Sequence, residues 1–151
     1  MIILGAGSWG TALAVHAAKC GHPVTIWGHD VPRTRELALR RVNATYLPGF
    51  RLPDSVRVDD RIDRAFSEGA RYIVLVVPSH VARNVLEPCR PYVTRDTSVV
   101  IATKGIEVGT LSLMTVLSRT VGERSVVLIT RSDGRSYQRS SCPIRTAKRA
   151  G

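Results

Sequence analysis

The chain opens on Met1-Ile2-Ile3-Leu4, a short apolar run of strand type, and passes directly into Gly5-Ala6-Gly7-Ser8-Trp9-Gly10. Next comes Thr11-Ala12-Leu13-Ala14-Val15-His16-Ala17-Ala18-Lys19-Cys20, a helix of small residues that stops at Gly21. A strand, a G-x-G-x-x-G turn and a helix, in that order, form the context of a dinucleotide-binding βαβ unit. Gly5 permits the tight turn. Gly7 lacks a Cβ, so a pyrophosphate can approach the backbone. Gly10 lets the helix pack closely on the strand. The exposed N–H groups and positive dipole end of the helix would then face the phosphates. A glycine turn without a ligand is the alternative, and the flanking strand and helix argue against it.

A length of 151 residues fits one domain, and 44% hydrophobic residues supply material for a core. No apolar run approaches ~18 residues, so no membrane span is expected. The N-terminus lacks a basic segment ahead of a long apolar core, so no secretory signal is expected. Met1 stands on the first strand, so little or nothing is expected before the fold. Cys20, Cys89 and Cys142 are far apart, odd in number and without metal spacing. Reduced thiols in a cytoplasmic protein are the plain expectation, with no metal site.

The net charge of +10 raises the question of nucleic acid, and its distribution answers it. Residues 131–151 carry six basic side chains (Arg131, Arg135, Arg139, Arg145, Lys148, Arg149) against one acid, Asp133. The body carries scattered charges of both signs. A basic tail without interleaved aromatics is a poor nucleic-acid surface, and no such partner is expected.

Along the chain, Pro23-Val24-Thr25-Ile26-Trp27 reads as the second strand, closed by Gly28-His29-Asp30. Dinucleotide folds often place an acid near this point, ~20 residues after the fingerprint, on the adenine ribose. Asp30 has the right count from Gly10, although Gly28 takes the acid's place when counted from the strand. A missing acid leaves room for a 2′-phosphate, which Arg33 or Arg35 could reach. NAD and NADP both stay open, with a lean towards NADP. For Asp30 a helix cap ahead of Val31-Pro32 is an equal reading.

Residues 31–42 read as a helix with Leu37, Ala38 and Val42 on its apolar side. Residues 43–53, with two prolines and a glycine, read as an irregular stretch packed on the body. Tyr46 there either stacks near the adenine or packs as an ordinary aromatic. Ser55-Val56-Arg57-Val58 is a short strand, and Ile62, Ala65 and Phe66 mark a short helix ending at Gly69. Tyr72-Ile73-Val74-Leu75-Val76-Val77 is continuously apolar, as a strand buried on both faces should be. Pro78-Ser79-His80 breaks it at the edge where ligands sit in open α/β sheets. His80 is there either a site residue or a turn histidine. A helix through residues 81–86 follows. Ser98-Val99-Val100-Ile101-Ala102 is the next buried strand and delivers Lys104 to the same edge. An ammonium there can pair with a phosphate or polarise a carbonyl. A helix opens at Gly109-Thr110, and Val126-Val127-Leu128-Ile129 is a sixth strand.

Alternating strands and helices imply an α/β, Rossmann-like, doubly wound and mostly parallel sheet over residues 1–130. Residues 131–151 have no helix or strand period and few apolar residues, so this basic tail is expected to be disordered.

Five blocks carry a resemblance: Gly5-Ala6-Gly7-Ser8-Trp9-Gly10-Thr11-Ala12-Leu13-Ala14, Ile26-Trp27-Gly28-His29-Asp30, Asn43-Ala44-Thr45-Tyr46-Leu47-Pro48, Val76-Val77-Pro78-Ser79-His80 and Ala102-Thr103-Lys104-Gly105-Ile106-Glu107. In order and spacing they resemble the N-terminal domain of the bacterial NAD(P)-dependent sn-glycerol-3-phosphate dehydrogenases. The resemblance implies hydride transfer between NAD(P)H and dihydroxyacetone phosphate or glycerol 3-phosphate, for phospholipid synthesis. It also implies that Ser8, Trp9, His29 and Lys104 contact the cofactor, with Lys104 near the substrate phosphate. In that family a Ser-Gly-Pro loop and a helical domain follow the sixth strand, and the helical domain carries the general acid/base lysine. Here Ile129-Thr130-Arg131-Ser132 stands in place of the loop. The expectation is therefore a frameshifted or truncated form: a cofactor half with little turnover of its own, without the family's homodimer. A non-enzymatic NAD(P)-binding module is the other reading, and turnover separates the two.

Overall fold

In a computed structural model, residues 1–102 are described in full, and the strands Val126–Ile129 and Tyr137–Ser140 as backbone. The elements run β1 (Ile2–Leu4), α1 (Ser8–Lys19), β2 (Val24–Trp27), α2 (Val31–Arg40), β3 (Val42–Asn43), β4 (Leu47–Arg51) and β5 (Val56–Asp59). They continue with α3 (Ile62–Ala65), β6 (Tyr72–Leu75), a 3₁₀ turn (Ser79–Val81), α4 (Ala82–Leu86), β7 (Ser98–Ile101), β8 (Val126–Ile129) and β9 (Tyr137–Ser140).

The main sheet has the order β5-β2-β1-β6-β7-β8-β9. Every pairing from β5 to β8 is parallel. The chain builds outward from β1 through β2 to β5, then crosses back to lay β6 on the other side of β1. This reversal makes the sheet doubly wound, and it opens a crevice at the C-terminal ends of β1 and β6, where ligands sit in such folds. The Rossmann-like architecture is thus the observed one.

The period of two in the strands divides the core. Ile2 and Leu4 of β1 face one side, with Ile73, Leu75, Val99 and Ile101, under Phe66, Ala82, Val85, Leu86 and Cys89. Ile3 faces the other, with Val24, Ile26, Val56 and Val74, under Ala14, Val15, Leu37 and Leu52. Most of these large side chains are fully buried, each stabilising the fold by about 1.5–3 kcal/mol before entropy is counted. Two buried faces explain why β1, β6 and β7 read as continuous apolar runs.

Three sequence expectations need correction. The helix read over 31–42 ends at Arg40. Arg41 turns left-handed at φ 59°, its N–H donates to the Leu37 carbonyl, and Val42 leaves the helix for β3. The stretch 43–53 is not wholly irregular, because β3 and β4 pair as a small antiparallel hairpin. Pro48 and Gly49 hide that strand, since proline and glycine are tolerated only on short exposed edges such as this one. Finally, the tail is not without structure throughout: Tyr137–Ser140 pairs antiparallel with β8, from Val126↔Ser140 to Ile129↔Tyr137. The open edge of β8 offers unpaired backbone groups, and pairing with them needs no apolar period in the added strand.

Candidate cofactor-binding site

Gly5, directly after β1, has φ +126°, a conformation open to glycine, and its N–H donates to the Trp27 carbonyl at 2.9 Å. A Cβ on Gly5 would lie 2.5 Å from the Val76 carbonyl oxygen. A Cβ on Gly10 would lie 1.9 Å from the Gly5 carbonyl oxygen, so α1 seats on the turn only through a glycine. Gly7 differs: nothing stands within 4 Å of where its Cβ would be. Gly7 is the N-cap of α1, no side chain caps that helix, and its first turn contains no acid. The first backbone N–H groups of a helix have no partner within it, and there they carry the positive end of the dipole.

The crevice is a cleft of about 700 Å³, walled by Gly5, Ala6 and Gly7 after β1, by Gly28, His29 and Asp30 after β2, and by Val76, Val77 and Pro78 after β6. Val81, Val85 and Pro88 deepen its apolar side, and Trp27 lines it with a buried indole N–H that has no partner among the described residues.

A second layer holds the turn in place. Asn43 is buried at 7% exposure. Its Nδ2 donates to the Ala6 carbonyl at 2.9 Å and to Thr11 Oγ1 at 2.8 Å, while its Oδ1 accepts from the Tyr46 N–H at 3.2 Å. Thr11 Oγ1 in turn donates to the Gly7 carbonyl at 2.8 Å. The hairpin is thereby tied to the glycine turn. Asn43 opens the Asn43-Ala44-Thr45-Tyr46-Leu47-Pro48 block that carries the family resemblance, but nothing in the sequence assigns it a role of its own.

At the end of β2, Asp30 caps α2. Its Oδ1 accepts from the Arg33 N–H at 3.1 Å, and its Oδ2 lies 3.4 Å from Arg33 Nε. Arg33 Nη1 donates to the Tyr46 hydroxyl at 2.7 Å, with the guanidinium 5.6 Å from the ring centroid. Asp30, Arg33 and Tyr46 all line the cleft. Gly28 is sterically required: a Cβ there would fall 2.1 Å from Thr34 Oγ1. The missing acid at position 28 thus reflects the close approach of α2.

The other candidates separate. His29 is exposed and lines the cleft. Ser8 and Trp9 are exposed on the first turn of α1, Trp9 at 56%, and neither lines the cleft. Arg35 is withdrawn from the site, because its Nε donates to Asp60 at 2.7 Å. His80 is exposed on the 3₁₀ turn and does not line the cleft. Lys104 lies outside the described residues. Among the described residues there is no cluster able to hold a metal ion, and no helix is long and apolar enough to cross a membrane.

Comparison with known proteins agrees with this geometry. Residues 1–131 match the family described as NAD-dependent glycerol-3-phosphate dehydrogenase N-terminus. The chain is 43% identical over 114 residues to "Glycerol-3-phosphate dehydrogenase [NAD(P)+]" of Edwardsiella ictaluri, covering 76% of this chain and 33% of that protein. To the protein of the same name from Bartonella henselae it is 40% identical over 121 residues, covering 80% of this chain and 35% of that one. Its fold is similar to the crystal structure of glycerol-3-phosphate dehydrogenase from Coxiella burnetii, with a TM-score of 0.77 and 31% identity over 84% of this chain and 39% of that one. The chain spans about a third of the length of the curated relatives it matches. It belongs to the NAD-dependent glycerol-3-phosphate dehydrogenase family and corresponds to the N-terminal part of its members.

Proposed function

We propose that this chain is the nucleotide-holding part of a glycerol-3-phosphate dehydrogenase acting in the cytoplasm. It binds NADH or NADPH in the cleft at the switch between β1 and β6. The observation that carries this reading is the contrast among the three glycines. Gly5 and Gly10 are closed in by backbone atoms, while Gly7 faces open space at the uncapped start of α1. That is the arrangement a pyrophosphate needs to meet the helix N-terminus. His29 and Tyr46 line the same cleft and suit contacts to the adenine ribose, and Val81, Val85 and Pro88 suit the adenine ring. The roles of Ser8, Trp9 and Lys104 rest on the family resemblance.

The reaction of the family is hydride transfer between NAD(P)H and dihydroxyacetone phosphate or glycerol 3-phosphate. When bound, the nicotinamide supplies the hydride, and the residues here bind and orient it. Reduction of the ketone also needs a proton for the new alkoxide, typically worth ~10²–10⁴ in rate. The resemblance places that donor in the family's helical domain, after the sixth strand, while residues 1–131 match the N-terminal part that holds the cofactor. On this reading residues 1–131 bind the cofactor and do not themselves supply the proton. Titrating the chain with NADH and NADPH, then assaying dihydroxyacetone phosphate reduction on the same sample, tests both halves. Absence of binding defeats the cofactor reading, and turnover by these 151 residues near that of a full-length relative defeats the assignment of the proton donor to the helical domain.

We read the change at residue 131, from family match to basic aperiodic sequence, as a shift of reading frame. Sequencing the gene downstream checks it. A second frame encoding a Ser-Gly-Pro loop and a helical domain is expected, and its absence rules the idea out.

A further inference from the structure

We propose that Arg33 is the residue by which this chain selects a 2′-phosphorylated dinucleotide over the unphosphorylated one. This rests on reading the cleft as a dinucleotide site.

A chain that prefers the free ribose needs a carboxylate with open acceptors at the end of β2. Two positions could supply it: the structure closes one and sets a cation against the other. Position 28 has no room for a side chain, since Thr34 Oγ1 stands 2.1 Å from any Cβ. Asp30 accepts the Arg33 N–H at Oδ1 and sets Oδ2 3.4 Å from Arg33 Nε, so a cation stands directly beside its carboxylate. Among the described residues it is also the one acid lining the cleft.

The cation beside it is placed to be useful. The Tyr46 hydroxyl and ring hold the Arg33 guanidinium from one side and Asp30 holds it from another. Tyr46 is itself fixed through Asn43 to the glycine turn that would carry the pyrophosphate. The distance from turn to guanidinium is thus set by a short chain of hydrogen bonds. The Asp30–Arg33 pair is half exposed, with side-chain exposures of 46% and 54% respectively. Such pairs are weak, so a phosphate can compete for the guanidinium, and its charge and geometry suit bidentate binding. Arg35, the other candidate, is bound to Asp60.

The test is titration of the wild-type chain, Arg33→Gln and Arg35→Gln with NADPH and with NADH, reading the ratio of the two dissociation constants. The wild type is expected to bind NADPH more tightly. Arg33→Gln should reduce the preference at least about tenfold, the scale of one lost charged hydrogen bond. Arg35→Gln should leave the ratio unchanged, and Arg33→Lys should keep part of it. A ratio unmoved by Arg33→Gln, or moved equally by Arg35→Gln, overturns the assignment while leaving the cofactor reading intact. A wild-type chain that binds neither nucleotide overturns both. Thermal unfolding of each variant separates loss of preference from loss of fold.

Discussion

The side-chain amide of Asn43 donates to the Ala6 carbonyl at 2.9 Å, joining a hairpin to a glycine turn 37 residues earlier in the chain. With Thr11 Oγ1 as its second acceptor and the Tyr46 N–H as donor to its oxygen, Asn43 makes three polar contacts in a buried position. Asn43→Ala strands these partners and should cost about 1–3 kcal/mol by the penalty for buried unsatisfied groups. Denaturant unfolding reads that loss, and NADPH titration of the folded fraction should show weaker binding. An Ala variant as stable and as tight as the wild type would show that the hairpin does not support the turn.

Gly7 and Gly10 should respond differently to the same change. Gly10→Ala drives a Cβ to 1.9 Å from backbone oxygen, which no rotamer relieves. Its cost should reach or exceed the top of the ~1–3 kcal/mol range for overpacking. Gly7→Ala meets open space at φ −78°, so the chain should fold near wild-type stability and lose nucleotide binding instead. Thermal melts with paired titrations of the two variants distinguish these outcomes.

Installing an acid at the end of β2 should not convert the site. Gly28→Asp forces a Cβ against Thr34, whose Oγ1 donates to the Asp30 carbonyl at 2.7 Å. A loss of ~1–3 kcal/mol is expected, with no gain in NADH affinity, and Gly28→Asp with Thr34→Ala should recover part of the stability. Tighter NADH binding by the single variant would count against the steric account.

Cys89, in the 3₁₀ segment Glu87–Tyr92 that follows α4, is buried in the core, and burial pushes its thiol up to about 12. The unfolded thiol ionises near 9.0, so between about pH 9 and pH 12 the unfolded state holds fewer protons than the folded one. Stability from this group is therefore full below pH 9 and falls as pH rises through that window. Cys89→Ser should flatten that part of the stability–pH curve. In a Cys142→Ser background, a thiol reagent should label exposed Cys20 at once and Cys89 only on unfolding.

The elements legible in the sequence were those whose cause is local or periodic. β1, β6 and β7 announce themselves because a strand buried on two faces must be apolar throughout. Gly5 and Gly10 announce themselves because a turn this tight admits no side chain. The hairpin was not legible: β3 has two residues and β4 contains Pro48 and Gly49, so its pairing depends on packing rather than propensity. β9 was hidden for a related reason, since its partner edge is made by β8 and not by anything within Tyr137–Ser140.

The same division runs through the site. By itself the sequence determined the doubly wound plan, the position of the glycine turn and the family, because each rests on short-range order along the chain. Only the tertiary structure decided which side chains serve the cleft. It committed Asp30 to capping α2, sent Arg35 to Asp60, set Arg33 on Tyr46, and made Asn43 the tie between hairpin and turn. These partners lie between 3 and 37 residues apart, and their meeting depends on how α2 packs against β5 and the hairpin against α1. Side-chain hydrogen bonds act over about 3 Å, so residue type and spacing leave several partners open until packing selects one.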